Sequence, residues 1–397
     1  MSVTDRTTQR LERRLVVLCA RTSMTDELRA EIRSILQNEL DWDYVVGISS
    51  RNAVTPLVGL NLLEIAESQL PKIAKEQFEE LVSAIQSRNL LLTAEMLRLV
   101  KLLEENEIEV LPFKGPVLAF QAYSNPCLRQ YTDLDVLVHP SSFNAAVELL
   151  QENGFRSLTS VSWLEKYDWY VSPKKDVYLV NEDRSVTLEL HWKLSGSHFG
   201  MGRMKGLWDQ LETVEIAGRK LKTLPFYDNL VYLCLHGSRH SWERLQWICD
   251  VNELIRSRTA IDWYSIHDEA KHLGCEKVVK LGLLLVSRSF GVRVPAPFAS
   301  SPGADGVLER MAEEIESRLF SRNPDWADME ERYHYHLGLK ERGTDRWRLR
   351  YNYISRAAKI LLTPNEKDAA WFPNLPQPFR LFLRPIRIVL SRIRSDE

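Results

Sequence analysis

Apolar residues recur at helical spacing over two stretches of the first hundred residues. From Glu27 to Leu40 the marked positions are Leu28, Ile32, Ile35, Leu36 and Leu40, which predict one buried helix face. From Phe78 to Leu103 they are Leu81, Ile85, Leu90, Leu91, Met96, Leu99 and Leu102. Ser49-Ser50 and Pro56 read as a loop region between the two. At Ile108 the period changes. Ile108–Phe113 reads as a short buried strand, and Lys114-Gly115-Pro116 as a turn opening a helix through Tyr123, since proline is tolerated in a first helical turn. Asp133–His139 reads as a second strand, followed by a helix capped by Ser141 or Ser142 and stopped at Gly154.

Strand-like runs at Val177–Val180 and Val186–Trp192 come next, around the turn Asn181–Ser185, with a hairpin at Ala217-Gly218. The helical period returns at Asn229. It predicts helices over Asn229–His240, Trp242–Ser257, Asp262–Leu273, Glu276–Phe290, Gly306–Phe320 and Asp345–Leu362. Pro373, Pro376, Pro378 and Pro385 predict an extended linker into a last short helix. The expected organisation is a helical lobe over residues 1–100, a small α/β core over 101–225, and a second helical lobe with a tail over 226–397.

Charge and cysteine content narrow the classes. Fifty-two basic and 54 acidic residues give a formal net charge of −2, so no global positive field favours nucleic acid as partner. Apolar runs such as Leu281–Val286 fall short of the about 20 residues a transmembrane helix needs. The apolar segment Leu15–Ala20 is cut off by Arg21 before it reaches signal-peptide length, which predicts a cytoplasmic protein. Five cysteines without a C-x-x-C pair support neither a disulfide framework nor a zinc site. The tail Pro385–Arg394 alternates apolar residues with arginines; docking on the core is the favoured expectation, contact with an anionic membrane surface the other.

The strongest chemical signal is Asp133-Leu134-Asp135 in an apolar strand. Alternation turns both carboxylates to one face, with Cα atoms about 6.7 Å apart. At about 5 Å and an effective dielectric of about 20, their repulsion is about 3 kcal/mol. A divalent cation reverses that sign, and magnesium favours such oxygen ligands together with substrate phosphates. In Val186–Trp192, alternation leaves Thr187, Glu189 and His191 opposite the apolar face. Glu189 is thereby a third candidate carboxylate if the two strands are neighbours, and three acids can hold two metals. Gly115, at a helix N-terminus, lets backbone N–H groups approach a phosphate. Lys114 and Arg129 can add positive charge to a polyphosphate, Arg129 as a bidentate fork. His191 is as readily a satisfied strand histidine as a phosphate contact. His236 and His240 share a helix face, but Gly237-Ser238-Arg239 between them lacks the glutamate of a H-E-x-x-H site. These histidines and Arg239 are expected to line the substrate cleft or to pack between helices, with Arg239 a possible phosphate or acceptor contact. Asp250 is expected to pair with His236 or with an arginine.

In this order the motifs resemble a known family. Leu111–Ala119, Arg129–Val138 and Leu188–Trp192 are similar to the uncharacterised bacterial nucleotidyltransferases of the DNA polymerase β-like superfamily. Arg51–Val58 and His236–Asp250 are similar to that family's flanking helical segments. The resemblance implies an α+β fold, with a small mixed-sheet nucleotidyltransferase core flanked by helical lobes. It also implies magnesium- or manganese-dependent transfer of a nucleoside monophosphate from a nucleoside triphosphate to an acceptor hydroxyl. Asp133, Asp135 and Glu189 match the family's metal-binding acids, and Gly115 its phosphate-turn glycine. Pro116 departs from the usual Gly-Ser or Gly-Gly, so the serine contact to the triphosphate is missing. Two other readings are a D-x-D sugar transferase and a non-catalytic nucleotide-binding module. The acceptor, whether small molecule, peptide or protein, has no motif of its own.

Overall fold

A computed structural model describes residues 3–158, 175–183, 185–194, 206–299, 306–322 and 329–362. The chain divides into a unit over Met1–Leu339 and a second over Lys340–Glu397. The proline-rich linker and the amphipathic tail expected from the sequence lie outside the described residues. Among the described residues no helix is long and apolar enough to cross a membrane.

The first unit opens with five helices: α1 (Val3–Cys19), α2 (Asp26–Ile35), α3 (Trp42–Arg51), α4 (Thr55–Ala66) and the long α5 (Lys72–Glu105). The α/β segment follows, as β1 (Val110–Pro112), α6 (Gly115–Tyr123), β2 (Leu134–Val138), α7 (Phe143–Glu152), β3 (Phe155–Ser157), β4 (Asp176–Asn181) and β5 (Thr187–His191). A separate hairpin, β6 (Glu212–Ile216) and β7 (Arg219–Thr223), turns through Ala217 and Gly218, both with positive φ as such a tight turn requires. Helices α8 (Phe226–Arg239), α9 (Leu245–Arg256), α10 (Trp263–Leu273), α11 (Glu276–Phe290), α12 (Gly306–Leu319) and α13 (Met329–Gly338) complete the unit. The second unit contains α14 (Gly343–Leu362).

The fold is α+β. Its five-stranded mixed sheet runs β1-β2-β5-β4-β3, with β2 and β5 parallel and the other neighbouring pairs antiparallel. One sheet face carries Leu134, Val136, Leu188 and Leu190 into a core shared with Leu99 and Val100 of α5 and Phe143 and Val147 of α7. The other face contributes Leu111, Phe113 and Leu137 to a larger core. That core joins helices from both ends of the unit, among them Leu15 of α1, Leu62 of α4, Leu230 of α8 and Leu281 of α11.

The expected loop at Ser49-Ser50 and Pro56 is a correction. Both serines lie inside α3, and Pro56 sits in the first turn of α4. The Ser49 hydroxyl donates to the Val45 carbonyl at 2.7 Å, which seats the serine within the helix. The break is shorter and lies at Asn52–Val54, where Ala53 takes φ 57°. Helix α2 also stops at Ile35, so Leu36 and Leu40 pack against the core from beyond its end. Two short elements, β3 and α13, have too little apolar periodicity to be legible in the sequence.

A buried tryptophan fixes the helices that border the sheet. Trp242 is fully buried in the link between α8 and α9, and its Nε1 donates to Ser238 Oγ at 3.2 Å. A Cβ at Gly237 would lie 2.5 Å from the Trp242 ring, and one at Gly282 of α11 would lie 2.7 Å from Cys234 Sγ. The ring is accommodated because both helices are bare at those positions. Gly237→Ala should therefore destabilise the protein by at least about 2 kcal/mol, in the range of core overpacking. Urea denaturation measures it, and an unchanged midpoint would show that the ring has room to move.

Candidate active site

Strand pairing brings the acids together. β2 and β5 are parallel neighbours, with Asp135 opposite Glu189 and Leu137 opposite His191. Because alternate residues face opposite sides, Asp135, Glu189 and His191 share one face, and each offers a donor atom within 4.8 Å of the other two. Asp133 lies just ahead of β2, half-buried and outside that trio, but it borders the same cavity. The cavity measures about 330 Å³ and is lined by Lys114, Gly115, Arg129, Asp133, Asp135, Glu189 and Arg239, together with residues of β4, α8 and α9. His191 is fully buried behind the acids.

Basic side chains are packed against this face. Lys114 Nζ is 2.6 Å from Asp135 Oδ1. His191 Nε2 is 3.1 Å from the same oxygen and 3.3 Å from Glu189 Oε2. Lys175, just before β4, bonds to Asp176 and lies 3.7 Å from Glu189 Oε2 and 3.4 Å from His191 Nδ1. Burial alone would raise the pKa of Asp135, but Lys114 and His191 outweigh it and hold the carboxyl far below its ordinary range. Glu189 is depressed in the same way: the cost of burial is overcome by the His191 contact and Lys114. Burial pulls the Lys114 ammonium down, yet Asp135 keeps it above its usual value. Asp133 differs, since burial and then the negative charge of Asp135 both raise it. Lys175 is pushed down to about 7 by burial and by the positive charge of Arg239, which Glu189 only partly offsets.

Gly115 begins α6 with φ 49°, a left-handed conformation that a side chain would strain. A Cβ there would also sit 3.4 Å from the Asp133 carbonyl. Glycine thus lets the N-terminus of α6 approach the entry to β2 beside the acids.

Arg129 is a correction to the polyphosphate fork. It is buried, and its Nε and Nη2 donate to Asp250 Oδ1 and Oδ2 at 2.8 and 2.9 Å. The bidentate face is thus taken up by a carboxylate of α9, which also accepts a hydrogen bond from Tyr123 at 2.7 Å. Asp250 pairs with an arginine, the second of its two expected partners. Arg239 and His236 of α8, with His240 just past its end, do line the cavity.

Sequence reasoning missed the contribution of β4. Its register sets Asp176 opposite His191 and Tyr178 opposite Glu189, and Tyr178 lines the cavity. The signal was present in the alternation of Asp176 and Tyr178 with the buried Val177 and Leu179. Trp247 and Gln246 of α9 also line it, placed by Asn52, whose side-chain oxygen accepts from Leu245 N at 2.9 Å. Asn52 gave no local signal, because its partners are distant in sequence.

The donor set suits a hard divalent cation. Two buried carboxylates and an imidazole meet at one point, with a third carboxylate on the same cavity. Lys114 already compensates part of the negative charge, 2.6 Å from Asp135.

Acids thus face each other on two parallel strands of a mixed sheet, beside a helix opened by glycine. Residues 38–291, more than half of the chain, match the family model described as "Uncharacterised nucleotidyltransferase", and the chain belongs to that family. Among solved structures, it is similar to an antigenic nucleotidyltransferase-like protein from Paracoccidioides brasiliensis. The two are 14% identical with a TM-score of 0.33, over 51% of this chain and 88% of the other. No curated protein matches the sequence.

Proposed function

We propose that the protein transfers a nucleoside monophosphate from a nucleoside triphosphate to an acceptor hydroxyl and releases pyrophosphate. The observation that carries this reading is the register of β2 and β5, which sets Glu189 beside Asp135 at the edge of the cavity that Asp133 and Gly115 also line. Asp133, Asp135 and Glu189 would hold magnesium or manganese, which when bound neutralises phosphate charge and favours departure of pyrophosphate. His191 fixes the directions of Asp135 and Glu189 by contacting both. The N-terminus of α6 at Gly115 receives phosphate oxygens through backbone N–H groups. Pro116 offers no hydroxyl there, so Lys114 and Arg239 supply the side-chain contacts to the triphosphate.

The acceptor oxygen forms a bond to the α-phosphorus as the bond to the bridging oxygen breaks; the electron pair leaves with pyrophosphate, and the hydroxyl proton passes by way of Glu189 to solvent. Glu189, held ionised beside Asp135, would orient the attacking hydroxyl and help take its proton. Rate enhancement comes mainly from positioning and charge. With a net charge of −2, a small molecule, peptide or protein is a better acceptor than nucleic acid.

The test is transfer of label from each α-³²P-labelled nucleoside triphosphate, with magnesium or manganese, to a pool of cell-derived small molecules and peptides. The expected result is label transfer with matching pyrophosphate release, lost in Asp133→Asn. This half-buried position is the acid least burdened with structural contacts. Transfer from a nucleotide-sugar instead, or nucleotide binding with no pyrophosphate released, would overturn the proposal.

A further inference from the structure

The cavity wall formed by α8 holds an arginine in an unusual setting. Arg239 Nε and Nη2 lie 3.3 and 3.2 Å from His240 Nε2, and Nη2 lies 3.4 Å from His236 Nδ1. Three other cations near the acids each face a carboxylate, Lys114 facing Asp135, Arg129 facing Asp250 and Lys175 facing Asp176, while Arg244, which also lines the cavity, lies 5.9 Å from the Trp247 ring centroid. Among the described residues Arg239 pairs with no carboxylate, and its Nη1 has no protein acceptor. The guanidinium is half-buried against two imidazoles and, among the described residues, touches no counter-charge.

The histidines can serve as acceptors because they are neutral. Burial, with the positive charge of Arg239 and Lys114, pushes His240 down to about 3, and burial with Lys114 lowers His236 well below its ordinary value. The rings are held in turn: they lie 4.9 Å apart, and Trp247 of α9 sits 5.4 Å from His236 and 5.2 Å from His240. The C-terminal turn of α8 adds a field that favours a cation there. A carboxylate in place of either histidine would hold the arginine as firmly but cancel its charge. An imidazole orients it and leaves the charge intact.

We infer that His236 and His240 are positioning residues that hold Arg239 ready to receive the outer phosphates of the donor, a contact that requires no metal. This rests on the nucleotidyltransferase reading for the identity of the ligand, a polyphosphate. The experiment is calorimetric titration of inorganic tripolyphosphate into the full chain in EDTA. Wild type should bind, and Arg239→Gln should bind at least about tenfold more weakly. His240→Phe keeps a ring but loses the acceptor and should weaken binding severalfold. His240→Gln, whose amide oxygen can accept, should recover most of it, which a merely structural role would not produce. Thermal melting of each variant checks folding. The inference fails if wild type does not bind, if Arg239→Gln binds like wild type, or if the Phe and Gln variants at 240 bind alike. Loss of label transfer with this pattern intact would sink the proposed reaction and not the arginine's role, and the converse result would sink only the latter.

Discussion

Glu189→Gln is expected to lower nucleotidyl transfer by at least about a hundredfold, the scale seen when a preorganised charge-stabilising group is removed from an active site. The substitution is nearly isosteric, and its amide oxygen can still accept from His191. The fold should therefore survive with a loss of about 1 kcal/mol, the usual value of one hydrogen bond. What changes is charge. Asp135 and Glu189 are both held ionised in a buried setting by Lys114 and His191, and that negative charge is the property a metal–triphosphate complex would use. Label transfer and pyrophosphate release measure the effect, with thermal melting as the check on folding. Activity within a few-fold of wild type would reduce Glu189 to a structural partner of His191.

Asp250→Asn is expected to cost about 3–5 kcal/mol of stability. Arg129 and Asp250 are 6% and 1% exposed, so removing the acid leaves a guanidinium buried without its counter-charge. The Tyr123 hydroxyl loses an ionised acceptor as well. Against a total stability of about 5–15 kcal/mol, such a loss leaves a large unfolded fraction on modest heating. The pair ties the segment between α6 and β2 to α9, so activity should fall with the fold rather than ahead of it. The double variant Arg129→Met/Asp250→Leu should recover much of the loss, because replacing both charges removes the unpaired one. Urea denaturation decides this. A single variant within about 1 kcal/mol of wild type would mean that water or another acid reaches Arg129.

The sequence made the acids legible because strand alternation is a short-range rule. Asp135, Glu189 and His191 could be placed on polar faces from their immediate neighbours, and the helices of the second half other than α13 were visible from their apolar period, α11 to the residue. Pairing between strands is long-range. That β5 lies beside β2 in this register depends on the packing of Leu188 and Leu190 against α5 and α7, which no local pattern encodes. The same limit explains Arg129, whose arginine-plus-turn context looked like a phosphate fork until Asp250, 121 positions away, came within hydrogen-bonding distance. Ser49, Ser50 and Pro56 misled for a different reason. Serine and proline break helices in many contexts, but here a hydroxyl bonded to the preceding turn and a first-turn proline satisfy the same backbone that each would otherwise disrupt. Lys175 and Asp176 stand behind His191 through the β4–β5 pairing alone.

The most direct measurement is calorimetric titration of the four nucleoside triphosphates into wild type, Asp133→Asn and Glu189→Gln, with and without manganese. Acids from two adjacent strands acting on one metal–nucleotide complex predict manganese-dependent binding of at least one triphosphate. Each variant should weaken it by about a hundredfold, or about 3 kcal/mol. Binding that ignores manganese, or that survives unchanged in either variant, would contradict the account.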